Sequence, residues 1–523
     1  MSEASTQELP HGWAVTCLAE VTEPRTGKVD PQATPGAKFI GMEQVEAHSM
    51  RLLGTVPAGS MKSSANAFQR TDVLYGRLRS YLNKVYQPDF VGLCSGEFIV
   101  MPETSAVLGR FLKYRLNAGD FVRFASRINT GDRPRVNFDQ IKIFGLDLPP
   151  RPEQERIADA LDELFSDLDA GVAALERVRE KLKLYRASVL KAAVEGSLTA
   201  EWRAQHPQTE PATELLKRVL VERRRRWEED QLAKFTAMGQ EPPKNWKSRY
   251  KEPIAPDTVD LPELPEVWCW AAVEQVGQVR LGRQRSPQHH RGNHMRPYLR
   301  VANVYEDRLD LTDVKKMNFT PEEFAIYKLH FGDILLNEGQ SLELVGRSAM
   351  YRDEVSECCF QNTLLRFRAS PAVTAQYALI VFTGYLHSGR FRKSANITTS
   401  IAHLGAERFI GIEFPLPPIA EQEAIVEAAE DQLSIIDHLE VELRAKLASA
   451  QALRQAILRH AFTGEVVPQD PNDEPASELL KRIAAEREKR ARETAAAKSA
   501  NKKTMRASSG RRGRSKKNKA KDI

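Results

Sequence analysis

Several stretches carry residue types that chemistry can use, and each lacks the spacing its chemistry requires. Thr26-Gly27-Lys28 resembles the end of a phosphate-binding loop, but the upstream glycine that lets backbone N–H groups wrap a phosphate is missing. His289 and His290 are adjacent, so their rings do not easily converge on one ion and read as part of a loop. Asp257 and Glu263 have no Glu-x-Lys partner to make a nuclease core. No glycine-rich loop is followed by the Asp/Asn/Ser-Pro-Pro-aromatic motif that base methylation uses. The five cysteines (Cys17, Cys94, Cys269, Cys358, Cys359) are odd in number and never spaced Cys-x-x-Cys, as suits small apolar residues in a reducing compartment. The expectation is no catalytic residue and no metal site, hence a binding and scaffolding chain.

The elements that would do the scaffolding stand out. Residues 148–196 read LPPRPEQERIADALDELFSDLDAGVAALERVREKLKLYRASVLKAAVEG, and 416–464 repeat them without a gap at an offset of 268, with fifteen of 49 positions identical. Identities include the Pro-Pro pair, Glu153-Gln154-Glu155 with Glu421-Gln422-Glu423, Arg186 with Arg454, and Gly196 with Gly464. The period is too long for a solenoid, so half of the protein is duplicated. Each copy reads as one long helix. The prolines mark its entry, the acidic residues suit the positive end of its dipole, and the glycine stops it. Ile157, Leu161, Leu164, Leu168, Val172, Leu175, Val178, Leu182 and Val189 form a heptad-like seam. A helix of roughly 43 residues spans about 65 Å, and two such rods most simply bury their seams against each other.

What each rod carries is also duplicated, more faintly. LPHGW at 9–13 echoes LPEVW at 264–268, Asp72-Val73-Leu74 echoes Asp333-Ile334-Leu335, and PATELLKRVLVERRRR at 211–226 echoes PASELLKRIAAEREKR at 475–490. Short β-type runs such as 38–42 and 98–101 alternate with turns, so the fold class is α+β: two mixed α/β domains joined by two long antiparallel, coiled-coil-like helices with a pseudo-two-fold repeat. The expected boundaries are 1–147 for the first domain, 148–199 for the first rod, 200–255 for a helical extension and Pro-rich linker, 256–415 for the second domain, 416–467 for the second rod, 468–497 for a C-terminal helical repeat and 498–523 for a disordered basic tail. Arg223–Arg226 is neutralised one turn later by Glu228, Glu229 and Asp230, and reads as a solvated helix face.

In the tail, eleven Lys and Arg against Asp522 alone give +10, leaving −4 for the rest of a chain whose total is +6. A nucleic-acid surface on the folded part must therefore be a local patch; the tail itself would attract phosphates without regard to sequence. With no run of about 18 apolar residues and no signal pattern in MSEASTQELP, the expected setting is cytoplasmic.

The two LPP-x-x-EQE-x-I rods, the LPxxW domain entries, DVLYGRLRSYLNKV at 72–85 and GDILLNEGQS at 332–341 resemble the specificity subunits of type I restriction–modification enzymes. The resemblance covers nearly the whole chain apart from the tail. It implies a non-catalytic subunit of a multisubunit endonuclease and methyltransferase. Its two target-recognition domains would each read half of a split, asymmetric sequence in double-stranded DNA. Its rods would dock two modification (methyltransferase) subunits, which restriction (helicase–nuclease) subunits then join. S-adenosylmethionine, ATP and Mg would belong to those partners, and this chain would hold no cofactor. An internally duplicated chain with antiparallel rods mimics a dimer on a palindrome, but its unlike domains imply unlike half-sites about one duplex turn apart.

Within that resemblance, residue type selects the DNA contacts. Arg and Asn pair with guanine and adenine edges, whereas Lys and Thr suit phosphates. In the first domain the expected contacts are Arg77, Arg79, Tyr81 and Lys84, then Arg127, Asn129, Thr130, Arg133 and Arg135 in a loop stiffened by Gly and Pro. In the second they are Arg280, Arg283 and Arg285, then Asn337, Gln340, Ser341 and Arg347, then Arg392, Lys393, Ser400 and His403. The alternative is a coiled-coil scaffold with protein-binding heads, whose tail alone touches nucleic acid.

Overall fold

A computed structural model describes residues 9–128, 132–398, 401–489 and 492. The tail, Asn129, Thr130 and Ser400 lie outside the described residues. The rods are single helices, Arg151–Glu195 and Ile419–Phe462. Each is followed by its glycine in the left-handed region (Gly196 φ +78°, Gly464 φ +79°), where a side chain on Cβ is disfavoured and the helix terminates. The chain divides into two compact units, 1–175 with 445–523 and 176–444, so each rod gives one half to each unit.

In the first unit, the strand Ala14–Cys17 pairs antiparallel with Gly145–Leu148, bringing the domain's two ends together where the first rod begins. Between them lie two sheets. One has four strands, with Lys38–Ile40 and Gly92–Ser95 at its centre. The other has Val73–Gly76 between Val85–Tyr86 and Phe98–Met101. The helices Gly109–Arg115 and Gly119–Ile128 add Phe111 and Phe121 to a core that also holds Tyr75, Ile157 and Leu161 of the first rod, and Leu458 and Ala461 of the second. Asp169 of one rod accepts from Arg454 of the other.

The second unit repeats this plan. Cys269–Ala272 pairs antiparallel with Glu413–Leu416, which leads into the second rod. Ile334–Asn337 lies between Ser348–Met350 and Leu364–Ala369, and Gly277–Leu281 extends the sheet beyond Leu364–Ala369. The helix Ala375–His387 is buried against them, in one core with Leu190, Ala193, Ile425 and Ala429 of the rods. Arg186 donates to Asp437. Asp169 and Asp437 are equivalent under the 268-residue offset, as are Arg186 and Arg454, so one ion pair is made twice. In both units the rods pack antiparallel, one numbering upward where the other numbers downward.

The seam departs from the expected pattern. Leu164 and Val178 are exposed (40% and 46%), while Phe165, next to Leu164, is buried. A 3.5-residue pattern drifts by about 20° per heptad around a straight 3.6-residue helix, which carries some seam positions to the surface.

The Glu-Gln of each rod entry has a structural role beyond the helix dipole. Glu153, Gln154, Glu421 and Gln422 are all buried. Gln154 accepts from the Leu108 backbone N (2.8 Å) and donates to the carbonyls of Ala106 (3.0 Å) and Pro149 (3.0 Å). Gln422 does the same with Thr374 N (2.9 Å), Ala372 O (2.8 Å) and Pro417 O (3.0 Å). The indole of Trp13 donates to Glu153 (3.0 Å) and that of Trp268 to Glu421 (2.8 Å). These bonds mount each domain, or head, rigidly on its rod. They differ in one respect. Glu421 also accepts from Thr199 (2.8 Å) and Arg203, whereas Glu153 gains only a long bond from Gln469 (3.3 Å) and no arginine. Burial accordingly holds the Glu153 carboxyl above the usual carboxylate range, against the bonds from Trp13 and Gln469.

Candidate nucleic-acid interface

In the first head the central strand ends at Gly76, and three segments distant in sequence are stitched together just beyond it. Arg77 N donates to Glu97 O (2.8 Å), Val136 N to Arg77 O (3.0 Å), and Arg79 N to Pro134 O (2.7 Å). Arg79 (φ +52°) and Asn83 (φ +40°) bracket a tight turn at Ser80–Leu82 in left-handed conformations. Ser80 Oγ ties that turn to Ala125 O (3.1 Å), so the helix end bearing Arg127 lies beside it. Arg79, Tyr81, Arg127 and Arg133 are exposed. Arg77 is half-buried, and its Nε meets no partner among the described residues. Arg135 is exposed and engages Glu97 through Nε (3.2 Å) and Nη2 (3.0 Å). Lys84 turns inward and donates to Met42 O (2.6 Å).

The second head stitches its strand end in the same way. Glu338 N donates to Thr363 O (3.0 Å) and Leu404 N to Glu338 O (2.8 Å). Gly339–Gln340 pairs antiparallel with Ile401–His403, with Gly339 opposite His403. By their backbone bonds, Arg77 corresponds to Glu338, Glu97 to Thr363 and Arg135 to His403. Lys84 corresponds to Arg347, since Gly76 N donates to Lys84 O (2.8 Å) and Asn337 N to Arg347 O (2.9 Å). Gln340 and Ser341 are half-buried on the rim. His403 Nδ1 lies 3.2 Å from Glu338 Oε2.

Strand register brings the arginine segment to the same end of the sheet: Leu281 lies opposite Leu365, and Asn337 opposite Leu364. Arg285 is exposed there and reaches His290 Nε2 (3.1 Å). Arg283 is 6% exposed and bonded to Glu323 (2.8 Å) and Asn318 O (2.7 Å). Arg280 is half-buried opposite Arg366. Arg347 lies over the Tyr305 ring (4.5 Å), and burial lowers its pKa from the ordinary arginine value. Asn337 is fully buried, with no side-chain partner among the described residues. Arg392 and Lys393 are exposed on the short helix Arg390–Ser394.

Glu97 and Glu338 are the residues that sequence reasoning passed over. Each is an acidic residue inside a basic or polar turn, at SGEF and NEGQ. Among the described residues no group of three or more side chains is placed to hold a metal, and no helix is long and apolar enough to cross a membrane.

Comparison with known proteins agrees with this architecture. Residues 10–177 match the family described as Type I restriction modification DNA specificity domain. Similar curated proteins include the EcoDI specificity subunit of Escherichia coli, 24% identical over 505 residues (92% of this chain, 97% of the relative). The EcoKI specificity subunit of Escherichia coli is 24% identical over 408 residues (76% of this chain, 74% of the relative). A chain solved in work on the assembly and conformational transition of a type I restriction–modification system shares the fold, with a TM-score of 0.58 at 18% identity, covering 88% of this chain and all of that one. Over most of its length the chain is thus similar to specificity subunits of type I restriction–modification enzymes, and its residues 10–177 carry the matching domain.

Proposed function

We propose that this chain is the DNA-reading, non-catalytic part of a type I restriction–modification complex, with each head reading one half of a split, asymmetric target. The observation that carries this reading is the matched stitching of the two heads. The same backbone bonds, at the same end of the same central strand, present different side chains. Arg79, Tyr81, Arg127 and Arg133 are the exposed candidates in the first head. In the second the exposed candidates are Arg285, Arg392 and Lys393, beside the half-buried Gln340, Ser341 and His403. Lys84, Arg283 and Asn337 support the surface from within. The exposed apolar side chains of the rods, including Leu164, Val178, Ile435 and Val441, suit docking of two modification subunits, with restriction subunits joining them. A chain that works on DNA with such partners belongs in the cytoplasm.

Co-expression with a modification subunit, followed by sequencing of host DNA for methylated bases, tests the reading. A split motif with a fixed gap is expected. Inserting seven residues into each rod should change the gap and leave both half-sites intact. A stably assembled complex that methylates nothing, or an insertion that changes base preference instead, would overturn it.

A further inference from the structure

Both heads place a carboxylate at the centre of a surface that otherwise gathers basic and polar groups, and both pair it with a basic side chain. The Glu97 and Arg135 side chains are 31% and 53% exposed, and those of Glu338 and His403 are 16% and 39% exposed. A pair as open to solvent as Glu97 and Arg135 contributes little to stability, whereas the Glu338 carboxylate is mostly covered. A carboxylate there also repels DNA phosphates.

The pairs, moreover, do not come from equivalent positions. Glu338 stands where the first head has Arg77, and Glu97 where the second has Thr363, yet each reaches the residue on the facing segment. Inheritance from a common half-protein does not account for a pair rebuilt from different positions. A shared requirement does.

Resting on the reading of the heads as DNA-binding, we propose that Glu338 is a positioning residue for base recognition by His403, and that Glu97 serves Arg135 in the same way. A carboxylate only accepts, so Glu338 places the imidazole proton on Nδ1. In the neutral ring Nε2 is then an acceptor, and it makes no hydrogen bond among the described residues. Its complement on a base edge is an exocyclic amino group, adenine N6 or cytosine N4, in the major groove. Gly339 keeps the site open: a Cβ there would sit 3.1 Å from His403 Cε1 and Nδ1. Arg135, gripped through Nε and Nη2, has its guanidinium plane fixed instead.

The test uses the full chain assembled with modification subunits and selected against a randomised duplex library. Wild type should return a split motif. In E338A, discrimination at one adenine- or cytosine-bearing pair of the second half-site should fall on the order of tenfold, with the first half-site unchanged. E338Q, whose amide oxygen accepts the same proton, should keep most of it, and E338A in an H403A background should add nothing. Should E338A unfold, Glu338→Ser replaces it. Unaltered discrimination, an equal change on all sequences, or additive effects of E338A and H403A would each overturn the inference. Wild type without sequence preference would overturn the underlying reading as well.

Discussion

The two heads agree where they are buried and differ where they are open. Trp13 and Trp268, Glu153 and Glu421, and Gln154 and Gln422 are identical pairs making nearly identical bonds. A buried donor or acceptor left without its complement costs about 1–3 kcal/mol, so neither partner of such a bond changes cheaply. Arg77 and Glu338, Glu97 and Thr363, and Arg135 and His403 share backbone bonds yet exchange charge. The fold thus holds a fixed frame while the groups it presents vary, as the proposed reading of unlike half-sites requires.

The comparison is sharpest at the two latch glutamates. Glu421→Ala strands Arg203, Thr199 and Trp268 and should destabilise the second unit by about 3–5 kcal/mol. Glu153→Ala strands only Trp13 and Gln469 and should cost the first unit about 1–3 kcal/mol. Hydrogen exchange resolved by unit measures both. The neutral isosteres should separate further: E421Q weakens the arginine bond, whereas E153Q relieves a buried charge and should be neutral or stabilising. A folded carboxyl above its unfolded value binds its proton more tightly. Its contribution is therefore complete below the unfolded value and is lost as pH rises through the folded one. Glu153 alone should therefore favour the folded first unit more strongly on mild acidification, so the stability difference between wild type and E153Q should shift toward wild type as pH falls through the carboxylate range.

Next in size are the glutamine latches. Gln154→Leu and Gln422→Leu each leave a buried N–H and C=O unpaired and should cost their units about 2–3 kcal/mol alike. Unequal costs in chemical denaturation would show that the two mounts are less equivalent than their bonds.

Smaller still, Arg79→Ala should weaken binding of the first half-site about tenfold and leave the second untouched. Lys84→Ala, which loses a bond to Met42 O, should lower stability by about 1 kcal/mol without moving specificity. Binding to duplexes altered in one half-site at a time distinguishes them. The smallest effect is expected at the rods. Arg186→Ala and Arg454→Ala, each facing a largely exposed aspartate, should cost at most about 1 kcal/mol, equally, in their respective units.

The rods were legible in the sequence because proline, glycine and apolar periodicity are local signals: the helices begin after Pro150 and Pro418 and stop before Gly196 and Gly464. The role of Glu153-Gln154 was not, since a buried polar pair and a dipole-facing pair look alike until the packing above them is known. Among the contact candidates, residue type ranked Arg79 and Arg283 together, and only tertiary position separates an exposed side chain from one bonded to Glu323 and Asn318 O. Glu97 and Glu338 escaped notice because a search for DNA contacts by residue type looks for positive charge.

The bonds that tie the C-terminal segment to the first head bear on how the protein is made. Ala476 N donates to Gly12 O (2.9 Å), as Ala212 N does to Val267 O (2.8 Å), and Gln469 completes the bonds to Glu153. The second unit holds all its parts once the ribosome has passed residue 444, whereas the first must wait for residues 445–489. At about 5–20 residues per second, the head synthesised first spends tens of seconds with Leu148, Ile157 and Leu161 lacking their final cover. The half born first is finished last, and the nascent chain is most vulnerable to aggregation and proteolysis on that side.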